Sequence, residues 1–276
     1  IYVFQGYTPK TSSKIKDLKT IKKLKRKIYR DKKIEYLKIK QGMEIAAAFL
    51  ETRRFAALKG ATTEFTKMEG QAINKKDKKL YTAISKAYKG MLKGNNGARL
   101  NDDISLNGNP SDLLCGVIYE SELESGIKDT EGNSILSEWV AINMKALIKG
   151  ESSGEDTCNE NKIANPDNLT FSETLRSLFI AEDTGTRHSR DVLWAYSVDK
   201  DKLTRILVAP KHSEVSGLFI TENLNGYAYI FSNFQKSIHP KNFWKDMKPE
   251  DANQYVSDKD LRGIVGYIGP IPLEIN

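Results

Sequence analysis

The sequence is poor in cysteine and histidine, with two of the former and three of the latter among 276 residues. Two cysteines exclude a disulfide-rich scaffold and a four-cysteine zinc site, and they leave one disulfide, Cys115–Cys158, as an open possibility. No apolar run approaches the roughly 18–20 residues that a membrane-spanning helix needs, which excludes a transmembrane protein. Neither a P-loop nor a Rossmann glycine pattern occurs, so the common nucleotide-binding folds are also excluded.

The chain also lacks an initiating methionine, because it begins with Ile1, and it shows no signal peptide. We therefore expect a processed, trimmed or partial chain, whose first residues do not reveal its compartment. Its length and its 39% of hydrophobic residues suit one large globular domain or two small ones.

Positive charge is concentrated in one segment. Residues 10–40 contain 14 Lys or Arg and three acids, whereas the rest of the chain contains 29 basic and 33 acidic residues. Apolar residues recur in this segment at steps of three and four, namely Ile15, Leu18, Ile21, Leu24 and Ile28. This period predicts a basic N-terminal helical segment over residues 1–41.

Three interpretations of this basic segment are open. The helix packs on the body with its lysines in water, or it presents a surface to nucleic acid or acidic lipid, or the segment is disordered. No aromatic residue separates the lysines before Tyr29, so a nucleic-acid partner is not favoured.

Beyond this segment the sequence changes to short strand-like runs separated by turn residues. The runs are residues 80–85, 115–120, 139–148, 177–183, 192–197, 203–209, 227–234 and 263–268. Residues 192–209 have the clearest hairpin pattern, with the turn sequence VDKDK between two runs. Only residues 42–58 have a helical composition, and a strand is also open there. Many short strands at regular spacing predict a sandwich, a barrel or a propeller.

Three acids recur in phase with these strands. Glu69, Asp167 and Glu214 each precede a strand-like run, and they are 98 and 47 residues apart, about two units and one unit of a ~47-residue repeat. Repeats of this length are typical of propeller blades, whose innermost strands line a central channel. The acids therefore either face one channel, where a cation such as Ca²⁺ offsets their repulsion, or cap turns.

Four stretches of the sequence resemble the PhoX family of alkaline phosphatases. They are residues 51–70 (ETRRFAALKGATTEFTKMEG), 163–171 (IANPDNLTF), 191–217 (DVLWAYSVDKDKLTRILVAPKHSEVSG) and 264–270 (IVGYIGP). The hairpin followed by a Glu-Val-Ser-Gly turn is the most specific of these. The order and spacing match the C-terminal part of the family, so residues 42–276 are expected to be the PhoX-like region.

The resemblance implies a mostly β, propeller-like body, complete or partial, whose channel holds calcium and iron ions. It also implies the hydrolysis of small phosphate monoesters by an exported enzyme. We accordingly expect a secreted protein, located in the periplasm or outside the cell.

The resemblance implies roles for individual residues. The family's Arg-Pro-Glu element corresponds to residues 67–69, so Lys67 is implied to be catalytic and to contact phosphate, and Glu69 to bind metal. Lys67 keeps the charge of the family's arginine but loses its bidentate fork. Asp167, in an Asn-Pro-Asp turn, and Glu214, in the Glu-Val-Ser-Gly turn, are the other implied metal ligands. Secondary candidates are Asn168, through its amide oxygen, and Glu64, Glu182 and Asp183, which we otherwise expect to be exposed turn acids.

The sequence departs from the family in two places. Neither Cys115 nor Cys158 lies in the Gly-rich context of the family's iron-binding cysteine, so the iron ligand is not matched. The family's Gln-His-Pro element is interrupted, because three residues separate Gln235 from His239. The chain is therefore expected to be a fragment or a divergent relative, and its own N-terminal half is an expected partner.

The leading functional hypothesis is the metal-dependent hydrolysis of phosphate monoesters. A cluster of cations removes the repulsion between a phosphate dianion and hydroxide, and it holds the charge that develops on the leaving oxygen. One alternative is a non-catalytic propeller that calcium stabilises and that serves as a binding scaffold. Another is a calcium-dependent propeller hydrolase that acts on esters or lactones.

Overall fold

The computed structural model describes most of the chain and divides it into two compact units, Ile1–Glu64 and Phe65–Asn276. The described residues are 4–7, 22–28, 31–59, 61–62, 64–88, 91–92, 111–129, 131–154, 157–185, 187–210, 213–235 and 263–273. Among these residues no helix is long and apolar enough to cross a membrane. The boundary predicted after residue 41 marks where the PhoX resemblance begins, whereas the boundary after Glu64 divides compact units. The predicted domain boundary therefore stays a prediction.

The first unit contains a three-stranded antiparallel sheet and two short helices. The sheet has the order β1-β3-β2. The elements are β1 (Phe4–Tyr7), β2 (Lys22–Ile28), β3 (Asp31–Ile39), α1 (Glu44–Leu50) and α2 (Thr52–Lys59). The two helices confirm the helical interpretation of residues 42–58.

The helix predicted for the basic segment is wrong wherever the structure describes that segment. Strands β2 and β3 pair along their length, with Lys25 opposite Ile34 and Ile28 opposite Asp31. Leu24 and Ile28 are four residues apart, and this spacing places two side chains on one face of a strand as well as of a helix. The β-branched and aromatic residues of β3 favour the strand. Residues 8–21 lie outside the described residues.

The second unit consists almost entirely of antiparallel sheets, none of which closes on itself among the described residues. One sheet has the order β4-β5-β6-β7 with β8 also paired to β6, the next is β11-β12-β13-β14, and the last is β15-β16-β17; β9 and β10 form a ribbon. The strands are β4 (Met68–Asn74), β5 (Lys79–Ile84), β6 (Val117–Glu124), β7 (Val140–Ala141), β8 (Lys145–Lys149), β9 (Ser152–Gly154), β10 (Thr157–Cys158), β11 (Pro166–Ser172), β12 (Ser177–Glu182), β13 (Val192–Ser197), β14 (Lys202–Val208), β15 (Glu214–Leu224), β16 (Tyr227–Gln235) and β17 (Ile264–Pro272). A 3₁₀ turn, Asp112–Cys115, precedes β6.

The predicted mostly β body is confirmed, and most of the predicted runs are strands. The hairpin predicted over residues 192–209 is β13-β14, with Val192 opposite Val208 and Ser197 opposite Lys202. The first strands of successive sheets lie side by side, because β11 packs against both β4 and β15. The beginnings of these three strands, where the predicted acids lie, therefore belong to neighbouring sheets.

The middle sheet is buried on both faces. In β12, Leu178 and Ile180 pack into a core with Tyr81 of β5, whereas Phe179 packs into a second core with Val215 of β15. Alternate residues of a strand point to opposite faces, so one apolar run supplies both cores. This double burial fixes the middle sheet between its two neighbours.

At two places, a carboxylate from one sheet accepts hydrogen bonds from a turn of the sheet before it in the chain. Glu173, after β11, accepts hydrogen bonds from the main-chain N–H groups of Lys75 and Lys76 in the β4–β5 turn. Glu222, in β15, accepts hydrogen bonds from the main-chain N–H groups of Glu173 and Thr174, both at 3.1 Å, in the β11–β12 turn. We call these contacts the inter-sheet caps.

Candidate functional site

The predicted phosphate-contacting lysine and the first predicted acid form an ion pair at the start of β4. The Nζ of Lys67 lies 2.8 Å from Oε1 of Glu69. Lys67 has a φ of 50°, a left-handed conformation that few residues other than glycine adopt. Its carbonyl accepts the N–H of Ser85 at 2.9 Å, which ties this turn to the end of β5. The hydrogen bond to Glu69 raises the pKa of Lys67 above its ordinary value, so the ammonium group is charged at neutral pH.

The second predicted acid lies on the adjacent strand. Strands β4 and β11 approach so closely that a Cβ on Gly70 would lie 2.5 Å from the main-chain oxygen of Asp167. Burial raises the pKa of Asp167, and the negative charges of Glu69 and Asp183 raise it further, while Lys67 opposes them. The charges of four residues therefore act on one another. We call these residues the charged cluster: Lys67, Glu69, Asp167 and Asp183.

Asn168 connects this cluster to the third sheet. Its Nδ2 donates to Oδ1 of Asp167 at 2.6 Å, and its Oδ1 accepts the main-chain N–H of Gly217 in β15 at 2.8 Å. Asn168 was predicted as a ligand through the same amide oxygen. That role stays a prediction, and in the structure Asn168 orients the carboxylate of Asp167.

Glu214, the third predicted acid, is the first residue of β15 and is half-buried. Gln235, its cross-strand partner in β16, reaches Oε1 of Glu214 with its side-chain amide at 3.5 Å. The strand that begins at Glu214 lies beside β11. A site shared by all three acids stays a prediction.

Glu182, a secondary candidate expected to be exposed, is fully buried at the end of β12. Oε1 accepts the main-chain N–H of Ala164 at 2.7 Å and the indole N–H of Trp194 at 2.6 Å. Oε2 accepts the main-chain N–H of Val192 at 3.0 Å and lies 2.9 Å from Nδ1 of His188. Four donors thus occupy both oxygens, so Glu182 holds the fold together and is not available as a ligand.

His188 extends this buried network. Its Nε2 lies 3.1 Å from the carbonyl oxygen of Asn159, so both ring nitrogens face oxygen acceptors. Burial is the largest single effect and lowers the pKa of His188, but the hydrogen bond to Glu182, the negative charge of Glu182 and the hydrogen bond to Asn159 together raise the pKa above its ordinary value. An imidazolium paired with a carboxylate satisfies every partner here. The pair anchors the loop between β12 and β13, which carries Asp183.

Glu64, another secondary candidate, is also buried rather than exposed, with 3% of its surface accessible. It belongs to the first unit. Its Oε2 accepts the hydroxyl of Thr62 at 2.5 Å, and its main-chain N–H donates to that hydroxyl at 3.2 Å. These two contacts are local, and the role of Glu64 as a ligand stays a prediction.

Sequence reasoning missed Asn165, which holds the cluster's backbone in place. Its Nδ2 donates to the carbonyl oxygens of Ser85 at 2.7 Å and Leu114 at 2.8 Å. Its own carbonyl accepts the N–H of Asp183 at 3.1 Å, and its N–H donates to Cys115. Asn165 has a φ of 41°, a conformation that asparagine tolerates better than most residues. The Asn-Pro-Asp turn was the sequence signal, but its first residue was not considered.

The two cysteines form a disulfide, Cys115–Cys158, which is buried. The open possibility in the sequence is therefore the observed state, and the chain holds no free cysteine. A cysteine iron ligand does not fit this chain, because cysteine binds iron as a thiolate and both cysteines are in the disulfide. Calcium takes carboxylate oxygens, which Glu69 and Asp167 supply. Within the described ranges, no group of three or more His, Cys, Asp or Glu residues is arranged to hold a metal ion.

A serine in the spacing of a nucleophile elbow does not form one. Residues 150–154 read Gly-Glu-Ser-Ser-Gly, which matches the pattern of serine hydrolases. Ser152 lies in the β9–β10 ribbon rather than on a strand-to-helix turn, and its hydroxyl donates to the carbonyl of Gly154 at 3.2 Å. The pattern is therefore coincidental.

Comparison with known proteins gives a likeness of fold. No family model matches the chain, and no curated protein matches it significantly. A solved structure, Pseudomonas fluorescens PhoX in complex with vanadate, a transition state analogue, is similar with a TM-score of 0.51 and 17% identity. The match covers 80% of this chain and 36% of that one, so the chain spans about a third of the neighbour's length. At this identity the likeness concerns the fold alone, and it supports a PhoX-like fold.

Proposed function

We propose that this chain forms a propeller-like body that hydrolyses phosphate monoesters in the manner of PhoX. The observation that carries the proposal is the charged cluster itself. The resemblance assigns Lys67, Glu69 and Asp167 to phosphate and metal, and these residues lie at the starts of the adjacent strands β4 and β11. The similar fold of Pseudomonas fluorescens PhoX, solved in complex with vanadate, a transition state analogue, supports the proposal.

In this proposal the chain's own residues bind and orient the phosphoryl group. Lys67 contacts its oxygens and offsets their charge, and Glu69 positions the ammonium at 2.8 Å. Asn168 holds the carboxylate of Asp167 in one orientation. Glu69, Asp167 and Glu214 are the proposed calcium ligands, and bound calcium would supply Lewis-acid stabilisation of phosphoryl charge. An iron ion bound through cysteine is not part of the proposal, since both cysteines are in the disulfide.

Hydrolysis of p-nitrophenyl phosphate tests this proposal. The wild-type chain should release p-nitrophenol with calcium and lose this activity when a chelator is added. Glu69→Gln, Asp167→Asn and Glu214→Gln should each lower kcat/KM about 100-fold or more, because each removes a charge from the metal site. The exposed Glu138 gives a control, Glu138→Gln, that should match the wild type. Calcium-independent activity, or no activity with calcium, would contradict the proposal.

A second candidate is the non-catalytic scaffold that calcium stabilises. It is favoured by one observation, since the carboxylate of Glu69 is already paired with Lys67. It predicts that calcium raises the unfolding midpoint by mass action while no phosphate ester is hydrolysed. Measuring both hydrolysis and the unfolding midpoint, each with calcium and with a chelator, therefore separates the two candidates.

Export from the cytoplasm is part of the proposal. A disulfide persists in oxidising compartments such as the periplasm and the extracellular space. The observed Cys115–Cys158 bond supports these locations.

Lys67 should also compete with calcium. Its ammonium occupies an oxygen of Glu69 and carries a positive charge beside Asp167, as a bound cation would. We expect Lys67→Met to bind calcium several-fold more tightly than the wild type, measured by titration calorimetry. Lys162→Met, which removes an exposed lysine, is the control. Equal or weaker calcium binding by Lys67→Met would show that the ion pair does not oppose the metal.

A further inference from the structure

The third sheet, β15-β16-β17, is apolar on both of its faces. On its inner face, Val215 and Ile230 pack into a core with Phe179 and Leu193 of the middle sheet, and Ile268 packs against the same core. A sheet with one face in water normally alternates apolar and polar residues, whereas a sheet covered on both faces is apolar throughout. Strand β16, which begins Tyr-Ala-Tyr-Ile-Phe, has the second pattern, as does β12 of the doubly buried middle sheet.

Aromatic side chains form a row across the opposite, outer face of this sheet. The ring of Phe231 in the central strand lies 6.0 Å from that of Phe219 in β15 and 5.8 Å from that of Tyr267 in β17. Tyr229 extends the row, because its ring lies 5.6 Å from that of Tyr267. Phe219 and Tyr267 are each 63% exposed, and Val265, two residues before Tyr267 on the same strand, is 82% exposed. A contiguous exposed apolar surface of this kind marks an interaction site.

The outer face is almost free of charge. Strands β16 and β17 contain no charged residue, and β15 contains two acids. Glu222 is directed to the middle sheet, whose turn it caps, and Glu214 is the first residue of β15, at one end of the face. By contrast, the outer strand of the middle sheet, β14, carries the exposed residues Lys202 and Arg205. Charges of that kind keep an edge strand from pairing, and β17 lacks them.

We propose that the outer face of the third sheet binds a second copy of this chain, with the two faces packed across a two-fold axis. The inference is independent of the proposed function. A nucleic acid or an anionic membrane would need positive charge on this face, and the strands offer none. A two-fold axis brings the same patch of each partner together, which uncharged rings tolerate and like charges do not. The contact would also continue the way in which the middle and third sheets already pack face to face.

The size of the face sets the strength of the association that we expect. Three strands of about nine residues give a face of roughly 14 Å by 30 Å, from the usual spacing of strands and of residues along them. This is smaller than the roughly 800 Å² that each partner buries in a stable complex. The two copies should therefore associate reversibly, and the dimer should dissociate on dilution.

Sedimentation equilibrium of the full chain over a range of protein concentrations tests the inference. The mass of the wild type should rise with concentration from one chain towards two. Phe219→Lys and Tyr267→Lys should each raise the dissociation constant about tenfold or more, because each places like charges on both sides of the interface. Leu136→Lys changes an apolar residue that is 99% exposed in the loop before β7, and it should associate as the wild type does.

Mixing variants of opposite charge shows whether the two copies share this face. Tyr267→Lys and Tyr267→Glu should each stay monomeric alone and should associate when mixed, because opposite charges then meet across the interface. A monomeric wild type at every concentration, a dimer that neither lysine variant weakens, or a mixture that stays monomeric would each overturn the inference. If Tyr267→Lys only lowers the unfolding midpoint of a monomeric protein, another part of the same chain covers the face, and the inference also fails. Far-ultraviolet circular dichroism confirms that each variant is folded.

Discussion

Replacing both cysteines by serine is expected to lower the free energy of unfolding by about 4 kcal/mol, which the chain-entropy model gives for a loop of 43 residues. The double variant is required, since either single variant leaves a reactive free thiol. The bond joins the 3₁₀ turn before β6 to β10, so its loss frees a long stretch of unfolded chain. Guanidinium unfolding of both proteins without reductant measures the difference.

Serine for cysteine also changes polarity, so reduction provides the control. Wild type unfolded in the presence of reductant should approach the double variant, whereas the double variant should be indifferent to reductant. A difference of less than about 1 kcal/mol between the wild type and the double variant would show that the bond adds little beyond the packing around Cys115 and Cys158.

Glu182→Gln is expected to lower the free energy of unfolding by about 3–5 kcal/mol, the usual result of breaking a buried ion pair. The amide carries a donor in place of one carboxylate oxygen. Each oxygen of Glu182 faces two donors, so either orientation of the amide sets donor against donor. The imidazolium of His188 would also lose its counter-charge.

Thermal unfolding of Glu182→Gln beside Glu138→Gln measures this effect, and the exposed Glu138 variant should match the wild type. A second variant, Trp194→Phe, removes one donor and leaves the ion pair intact. It should cost less than Glu182→Gln. If Glu182→Gln unfolds within about 1 kcal/mol of the wild type, Glu182 is not the centre of the network.

The sequence was informative where a local pattern decides structure. The β13-β14 hairpin was predictable because apolar runs flank a polar five-residue turn, and each feature lies within one short window. Strand β2 was not predictable, because the four-residue spacing of Leu24 and Ile28 fits the period of a helix as well as that of a strand. Apolar spacing therefore cannot distinguish a helix from a strand when both periods place the same residues on one face.

The candidate site shows a different limit. The repeat places Glu69 and Asp167 two units apart, whereas their strands β4 and β11 lie side by side in neighbouring sheets. The spacing of the acids therefore does not count the sheets between them. Glu182 was expected in water, because an acid at the end of an apolar run looks like a turn residue. Its burial depends on donors from Ala164, Val192 and Trp194, and no sequence period reports contacts of that kind.

The inter-sheet caps bear on how such a body grows by duplication. Glu173 lies in a turn that Glu222 caps, and it caps the β4–β5 turn in the preceding sheet. The middle sheet thus carries both partners of such a cap. Its turn offers main-chain N–H groups to Glu222, and its Glu173 caps the turn of the preceding sheet. The partners are separated by 98 residues at one cap and 49 at the other, although both caps join neighbouring sheets, so the unit that begins with β4 is the longer one. A copied unit that contains both halves can join an array at either side without a newly evolved interface, which is the property that lets repeat architectures lengthen.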